Sequence, residues 1–178
     1  MNFRIRTSVF MVILGCLCTG MILSADGAGA ADRKAVVQRS RALLAEAREA
    51  FAAGQSDTAL ARLESVLVED PANPDAFYFI GLIKLSHADT SGAEAALAEG
   101  VRLAPLSRRL KLLLARVWVE SGKTVEADKL VSEVMVLRPL DVDALYIKGL
   151  IALAENDSTA AVEFWDTALT EELGGGDL

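Results

Sequence analysis

The chain has 178 residues, enough for one domain, and its 25 Asp and Glu residues exceed its 18 Lys and Arg residues for a net charge of −7. This acidic balance argues against nucleic acid as a general partner, because neutralising phosphates requires a basic surface. A single histidine and two cysteines leave few groups for metal binding or nucleophilic catalysis.

The first thirty residues have the pattern of a secretory signal peptide. Arg4 and Arg6 precede an uncharged, largely apolar run from Val9 to Leu23, and Ala28-Gly29-Ala30 offers small residues to a signal peptidase. We expect cleavage after Ala30 and a periplasmic or secreted mature protein.

Two other fates of this segment are open. An uncleaved anchor is one, although fifteen uncharged residues are fewer than the roughly twenty that span a bilayer. The other is a lipoprotein, since Leu14-Gly15-Cys16 resembles a lipobox with Cys16 as the lipidated residue. Leu14 is bulkier than that motif prefers. If cleavage follows Ala30, both cysteines leave with the signal and the mature chain has no disulfide or thiolate.

The rest of the chain repeats itself. DAFYFIGLIKLSHADTSGA, residues 75–93, returns as DALYIKGLIALAENDSTAA, residues 143–161, with nine of nineteen positions identical. The offset of 68 is twice 34, and Pro71, Pro105 and Pro139 are spaced by 34. A period of this size indicates a solenoid in which each unit packs on its neighbours.

The apolar residues of the repeats follow helical rather than alternating spacing. Breaks recur at Gly, Pro, Asn and Asp residues, where helices stop and start. We predict eight helices in four hairpins and no strand, with the longest helix running from Asp32 to Ala53. Four aspartates are predicted to lie near the N-caps of these helices: Asp57, Asp89, Asp141 and Asp157.

These repeats resemble the tetratricopeptide repeat, whose unit of about 34 residues is two antiparallel helices with small residues where they cross. The units fall at residues 40–73, 74–107, 108–141 and 142–175. Every crossing position is Ala or Gly: Ala47, Gly81, Ala115 and Gly149 in the first helices, and Ala59, Ala93, Ala127 and Ala161 in the second helices. The resemblance implies an all-α, right-handed superhelical solenoid over residues 31–173, followed by a flexible tail at 174–178.

The two terminal units depart from the pattern by placing a charge, Glu46 or Lys148, where the first helix usually has a large apolar residue. We expect this of end units whose outer side is wet, with the stem of Lys148 buried and its amine in water.

The resemblance implies that the first helix of each unit lines a concave groove. The candidate partner-binding residues there are Arg48, Phe51, Tyr78, Phe79, Leu82, Arg109, Leu112, Arg116, Tyr146, Ile147 and Leu150. The apolar lining suits an amphipathic helix or an extended hydrophobic segment, whose acidic groups or C-terminus the arginines would meet. The Lys, Asn and Arg set with which some relatives clamp a terminal carboxylate is not reproduced. In the alternative interpretation, Leu82, Leu112 and Leu150 simply pack between adjacent hairpins.

The last hairpin is a second candidate surface, because no extra polar helix follows the fourth unit. Phe164, Trp165 and Leu169 form a possible dimerisation or docking face there. Trp165 alternatively packs in the core.

The sequence does not predict an enzyme. His87 lies beside a turn without a second histidine, and the glycines at 174–176 have no strand before them and no helix after them to make a phosphate cradle. We therefore expect no catalytic residue, cofactor, metal or small-molecule substrate. A basic cluster could be a site for an acidic partner or a solvated face: Arg102, Arg108, Arg109 and Lys111.

These features lead to a protein-binding scaffold of the bacterial cell envelope, which recruits a segment of another envelope protein. The chain is similar to the periplasmic repeat subunits of cytochrome c maturation, and repeat proteins of pilus, outer-membrane and exopolysaccharide assembly share the same motifs. The alternative is a structural protein that dimerises through its last repeat.

Overall fold

The computed structural model describes residues 32–174, which form eight helices and, in that range, no strand. The predicted all-α solenoid of four hairpins is confirmed. The helices are α1 (32–52), α2 (Ser56–Glu69), α3 (Pro74–Ser86), α4 (Thr90–Leu103), α5 (Arg108–Glu120), α6 (Thr124–Leu137), α7 (Val142–Ala154) and α8 (Ser158–Gly174). The proposed signal peptide, Cys16 and the tail after Gly174 lie outside the described residues.

Side-chain caps fix where several helices begin. Asp89, Asp141 and Asp157 each accept a hydrogen bond from the backbone N–H three residues on, at 2.8, 3.0 and 3.0 Å, as predicted. Asn73 caps α3 in the same way, with Pro74 at the first helical position. Asp57 lies in the first turn of α2, close to the N-cap residue Gln55, which agrees with its predicted position near a helix start.

The four hairpin turns share one backbone conformation. Gly54, Ala88, Gly122 and Asn156 all have positive φ, between 58° and 75°, and each occupies the same position of its repeat unit. The left-handed conformation reverses the chain between the two helices of a unit. Glycine takes it without strain and asparagine with little, whereas Ala88 takes it at a steric disadvantage.

Small residues let the two helices of each hairpin approach closely. All eight predicted crossing positions are buried, as the repeat pattern requires. At Gly81 an added Cβ would lie 2.6 Å from the Leu97 side chain, and at Gly149 it would lie 2.1 Å from Nε1 of Trp165. The space that a methyl group would need is therefore filled by the large residue of the facing helix.

Ion pairs join successive units. Arg108 on α5 binds Asp141 and Asp143 at the start of α7, and the Asp141 side chain is only 3% exposed. Burial opposes ionisation of Asp141, but hydrogen bonds from Arg108 and from the Ala144 N–H outweigh it and lower the pKa of this carboxyl group. The same hydrogen bond to Asp141 raises the pKa of the Arg108 guanidinium.

Two further pairs cross the unit boundaries. Glu94 on α4 accepts from Lys123 Nζ at 2.6 Å and from Trp118 Nε1 at 2.9 Å, and these bonds lower its pKa. Lys148 Nζ lies 2.6 Å from Asp128 Oδ1, and the Lys148 side chain is 19% exposed. The stem of Lys148 is buried as expected, but its amine binds α6 of the preceding unit. The expectation of a wet outer side is therefore wrong for Lys148, which lies at an internal junction.

Candidate protein-binding groove

The first helices of the four hairpins carry all eleven predicted groove residues. α5 and α7 touch each other directly as well as through α6. Side-chain contacts join α1 to α3 and α3 to α5, so the first helices lie side by side along one face of the stack. Side chains from successive units can therefore act together on one extended ligand.

Aromatic rings and arginines alternate along the α1–α3–α5 part of this face. The Arg48 guanidinium lies 5.7 Å from the centre of the Phe79 ring, which meets Phe51 and Tyr78 edge-on at 6.4 and 5.4 Å. The Arg109 guanidinium lies 4.1 Å from the centre of the Tyr78 ring. Such cation–π and edge-on contacts hold long side chains in defined orientations at an exposed surface.

The α5–α7 part of the face is hollowed into a trough. A depression of about 300 Å³ lies between Tyr78 and Tyr146, with Leu112, Leu113 and Ile147 at its floor. Its edges carry Arg109, Arg116 and the ion pair of Arg108 with Asp143. A second depression of about 430 Å³ shares Arg116 and Tyr146 with the first and extends past Leu150 and Leu153. The two form one trough with an apolar floor and a polar, aromatic rim.

Two of the rim arginines are accessible to a ligand. The side chains of Arg109 and Arg116 are 54% and 48% exposed, and their nearest carboxylates, Asp75 and Glu120, lie at 3.9 and 3.4 Å. Ion pairs this exposed are weak and easily exchanged for a carboxylate on a partner. Arg108, by contrast, is engaged by Asp141 and Asp143 and serves the contact between units.

Burial divides the predicted groove residues into floor and rim. Leu112 and Ile147 are 5% and 4% exposed and belong to the core. These two residues therefore follow the alternative interpretation, in which such side chains pack between adjacent hairpins. Leu82 and Leu150 are half-buried. At the rim of the trough, Arg109, Arg116 and Tyr146 are accessible to a partner and Tyr78 is half-buried. Arg48 is also exposed and Phe51 and Phe79 are half-buried, but these three lie outside the two depressions.

The predicted basic cluster near the second hairpin junction is neutralised from within. Besides the pairs of Arg108, Lys111 Nζ lies 2.7 Å from Glu133, and Arg102 lies 2.6 Å from Glu99. The sequence interpretation missed these partners. No periodic signal links Arg108 to carboxylates at the start of the next unit, although the charges themselves are visible.

The last hairpin presents both a packed and an exposed side. Trp165 is half-buried, with its ring against Gly149 and its Nε1 donating to the Tyr146 carbonyl oxygen at 3.1 Å. Phe164 is half-buried, whereas Val162 and Leu169 are 52% and 55% exposed. Trp165 therefore belongs mainly to the α7–α8 contact, and the exposed face is aliphatic.

Potential metal ligands do not cluster in the part of the chain that the structure describes. Within residues 32–174, no three His, Cys, Asp or Glu side chains are arranged to hold a metal ion. His87 is exposed at the end of α3, where its backbone N–H bonds to the last carbonyls of the helix. None of the helices in this part of the chain is both long and apolar enough to span a bilayer.

Comparison with known proteins identifies the repeat. The family model described as tetratricopeptide repeat matches residues 50–116. No curated protein sequence matches the chain significantly.

Solved structures share the fold at low sequence identity. MamA superposes with a TM-score of 0.68 at 19% identity, covering 78% of this chain and 81% of its own. A thermophilic repeat protein of Thermus thermophilus gives 0.64 at 20% identity over 74% and 73% of the two chains. Pseudomonas aeruginosa PilF gives 0.68 at 17% identity over 75% and 61%. At these identities the likeness shows a shared fold.

Proposed function

We propose that this chain, whose residues 50–116 match the tetratricopeptide-repeat family model, is a non-enzymatic scaffold of the bacterial cell envelope. It would bind a segment of a partner protein in the trough along α5 and α7. The observation that carries the proposal is the trough itself, an apolar floor between two tyrosines with two accessible arginines at its edge. The assignment to the envelope rests on the signal-peptide pattern of residues 1–30.

The trough suits an amphipathic helix or an extended segment with apolar side chains and acidic neighbours. Leu150 and Leu153, which are half-buried and 49% exposed respectively, would contact the apolar side chains, and Tyr146 adds a rigid rim that loses little conformational entropy on binding. Carboxylates beside those side chains would replace the weak pairs of Arg109 and Arg116. The C-terminal helix of an apocytochrome, which the resemblance to cytochrome c maturation subunits implies, is a specific segment to test first.

The experiment is affinity capture from envelope extract with residues 31–178 as bait. The groove variant is Arg116→Glu with Tyr146→Ala, because these residues line both depressions and are about half exposed, so their replacement spares the core. The matched control is Val136→Ala with Leu137→Ala on α6, where the side chains are 81% and 71% exposed. Melting curves check that both variants fold.

We expect the groove variant to lose a captured protein about tenfold or more, as aromatic and arginine anchors commonly contribute, while the control retains it. Capture of the same proteins by the wild type and both variants would contradict the proposal. A captured protein then supplies the peptide with which binding is measured directly.

A further inference from the structure

The outward side of α8 carries an aliphatic stripe that no other part of residues 32–174 covers. Val162, Asp166, Leu169 and Leu173 follow one another at intervals of four, three and four residues, which places them on one side of the helix. The three aliphatic side chains are 52%, 55% and 71% exposed. A stripe of this kind on a helix normally faces another element.

The corresponding positions of the earlier units are covered by the next unit. Leu169 corresponds to Leu67, Val101 and Met135, one in each preceding unit, and all three are half-buried against the core. Val162 corresponds to Glu94, which accepts a hydrogen bond from Trp118 on α5, and to Asp128, which binds Lys148 on α7. In the earlier units, the side chains at these positions therefore contact the first helix of the next unit.

The third internal junction shows what would face Asp166. Asp166 corresponds to Ser132, and Lys148 Nζ lies 3.2 Å from Ser132 Oγ as well as 2.6 Å from Asp128. A helix seated on α8 as α7 is seated on α6 would therefore bring a side chain at the Lys148 position to Asp166. Among residues 32–174, the Asp166 carboxylate has no ion-pair partner, and the other charges on α8 are Glu163, Glu171 and Glu172.

We propose that this C-terminal face binds a helix of another protein, which carries two aliphatic side chains seven residues apart and a Lys or Arg four residues after the first. α7 has this pattern in Ala144, Lys148 and Ile151, where it covers α6. The aliphatic pair would cover Val162 and Leu169, and the cation would pair with Asp166.

A second copy of the chain does not supply such a helix. Ala42, Glu46 and Glu49 of α1 occupy the positions of Ala144, Lys148 and Ile151, and all three are exposed. Stacking α1 of one copy on α8 of another would bring Glu46 to Asp166. Pairing two α8 helices would also oppose carboxylates only. Like charges in contact disfavour both arrangements, including the closed dimer considered from the sequence.

The test uses a peptide built on α5, which is the covering helix of α4 and is rich in cations. The probe has the sequence of residues 108–123 with Leu114→Lys at the Lys148 position, a fluorescent label, and a lactam bridge on its far side to hold it helical. The matched peptide has Leu114→Glu instead. Binding to the mature chain, residues 31–178, is measured by fluorescence anisotropy.

We expect the Lys peptide to bind at least about tenfold more tightly than the Glu peptide, because one contact changes from attraction to repulsion. Asp166→Lys in the protein should reverse this order, and Leu169→Asp should abolish binding of both peptides. Arg116→Glu, in the groove, should change neither affinity, which separates this face from the proposed function.

Three results would overturn the proposal. One is that the two peptides bind with equal affinity, or that their affinities do not change in the Asp166→Lys and Leu169→Asp variants. Another is no binding of the Lys peptide at millimolar concentration. The third is a wild-type dimer in sedimentation equilibrium that Leu169→Asp converts to monomer, which would assign the face to a second copy.

Discussion

Asp141 performs two tasks with one carboxylate. It caps α7 by accepting from the Ala144 N–H, and it holds Arg108 of the preceding unit. Its side chain is almost fully buried, whereas that of Arg108 is one-third exposed. Removing the carboxylate would leave a helix end uncapped and a guanidinium partly buried without its main partner.

Replacements of Asp141 separate the two tasks. Asp141→Ala loses the cap and the ion pair, and we expect a loss of about 3 kcal/mol in the free energy of unfolding. Asp141→Asn keeps a capping oxygen and loses only the charge, so we expect a loss of roughly 1–2 kcal/mol. Urea unfolding of the three proteins measures both values, and equal losses would show that the cap contributes nothing.

Acidification should weaken the fold. The pKa values of Asp141 and Glu94 are lowered in the folded chain, so the unfolded chain binds more protons as the pH falls past their ordinary values of about 4. Their contribution is present above that pH and lost below it. We expect the urea midpoint to fall between pH 5 and pH 3, and to fall less steeply in the Asp141→Asn, Glu94→Gln double variant. An unchanged slope would mean that other carboxylates dominate.

Some features of single residues could be predicted from the sequence, and others could not. The eight crossing positions could be predicted because each recurs at a fixed interval with the same small size. The partners of Arg108 could not, since the corresponding positions in the other units are Ser40, Pro74 and Val142, and a contact made once leaves no period. The sequence likewise did not distinguish the rim residues of the groove from its floor residues. Spacing identifies the face of a helix on which a residue lies, but not the depth to which a neighbouring helix buries its side chain.

At the scale of elements, the hairpin turn is built the same way four times, although its residue varies. Ala88 adopts φ 58° where two other units have glycine. Ala88→Gly removes roughly 1–2 kcal/mol of steric strain. It also raises the conformational entropy of the unfolded chain, which lowers stability by a smaller amount, so we expect a net gain of about 0.5–1 kcal/mol in the free energy of unfolding. Ala95→Gly, at an exposed position inside α4, is the control and should lose about 1 kcal/mol. If Ala88→Gly loses as much stability as Ala95→Gly, the inference that Ala88 is strained is wrong.

The contact between α7 and α8 depends on matched sizes. Gly149 faces Trp165, whereas the corresponding pair of the third unit is Ala115 and Val131. We expect Gly149→Ala to lose about 2–3 kcal/mol because its methyl group would overlap the indole. In a Trp165→Val background the same change should lose less than half as much. A double-mutant cycle by thermal or urea unfolding measures this coupling, and additive losses would show that the two residues do not interact.

At the scale of the whole molecule, charge separates two surfaces. The trough has accessible arginines at its rim, whereas the four charges of α8 are all acidic. The two faces would therefore select partners of opposite charge, and one scaffold could hold two segments at once. The fold of this scaffold follows from the period of the sequence, but the identity of its partners depends on a few side chains that the period does not specify.

Site-specific photo-crosslinking in the native host tests most directly whether the trough is the working surface. A benzophenone amino acid is placed at Tyr146, on the rim, and separately at Val136, which is 81% exposed on α6. We predict a discrete adduct with another protein at position 146 and none at position 136. Adducts of equal yield at both positions, or at position 136 alone, would contradict a partner-binding groove.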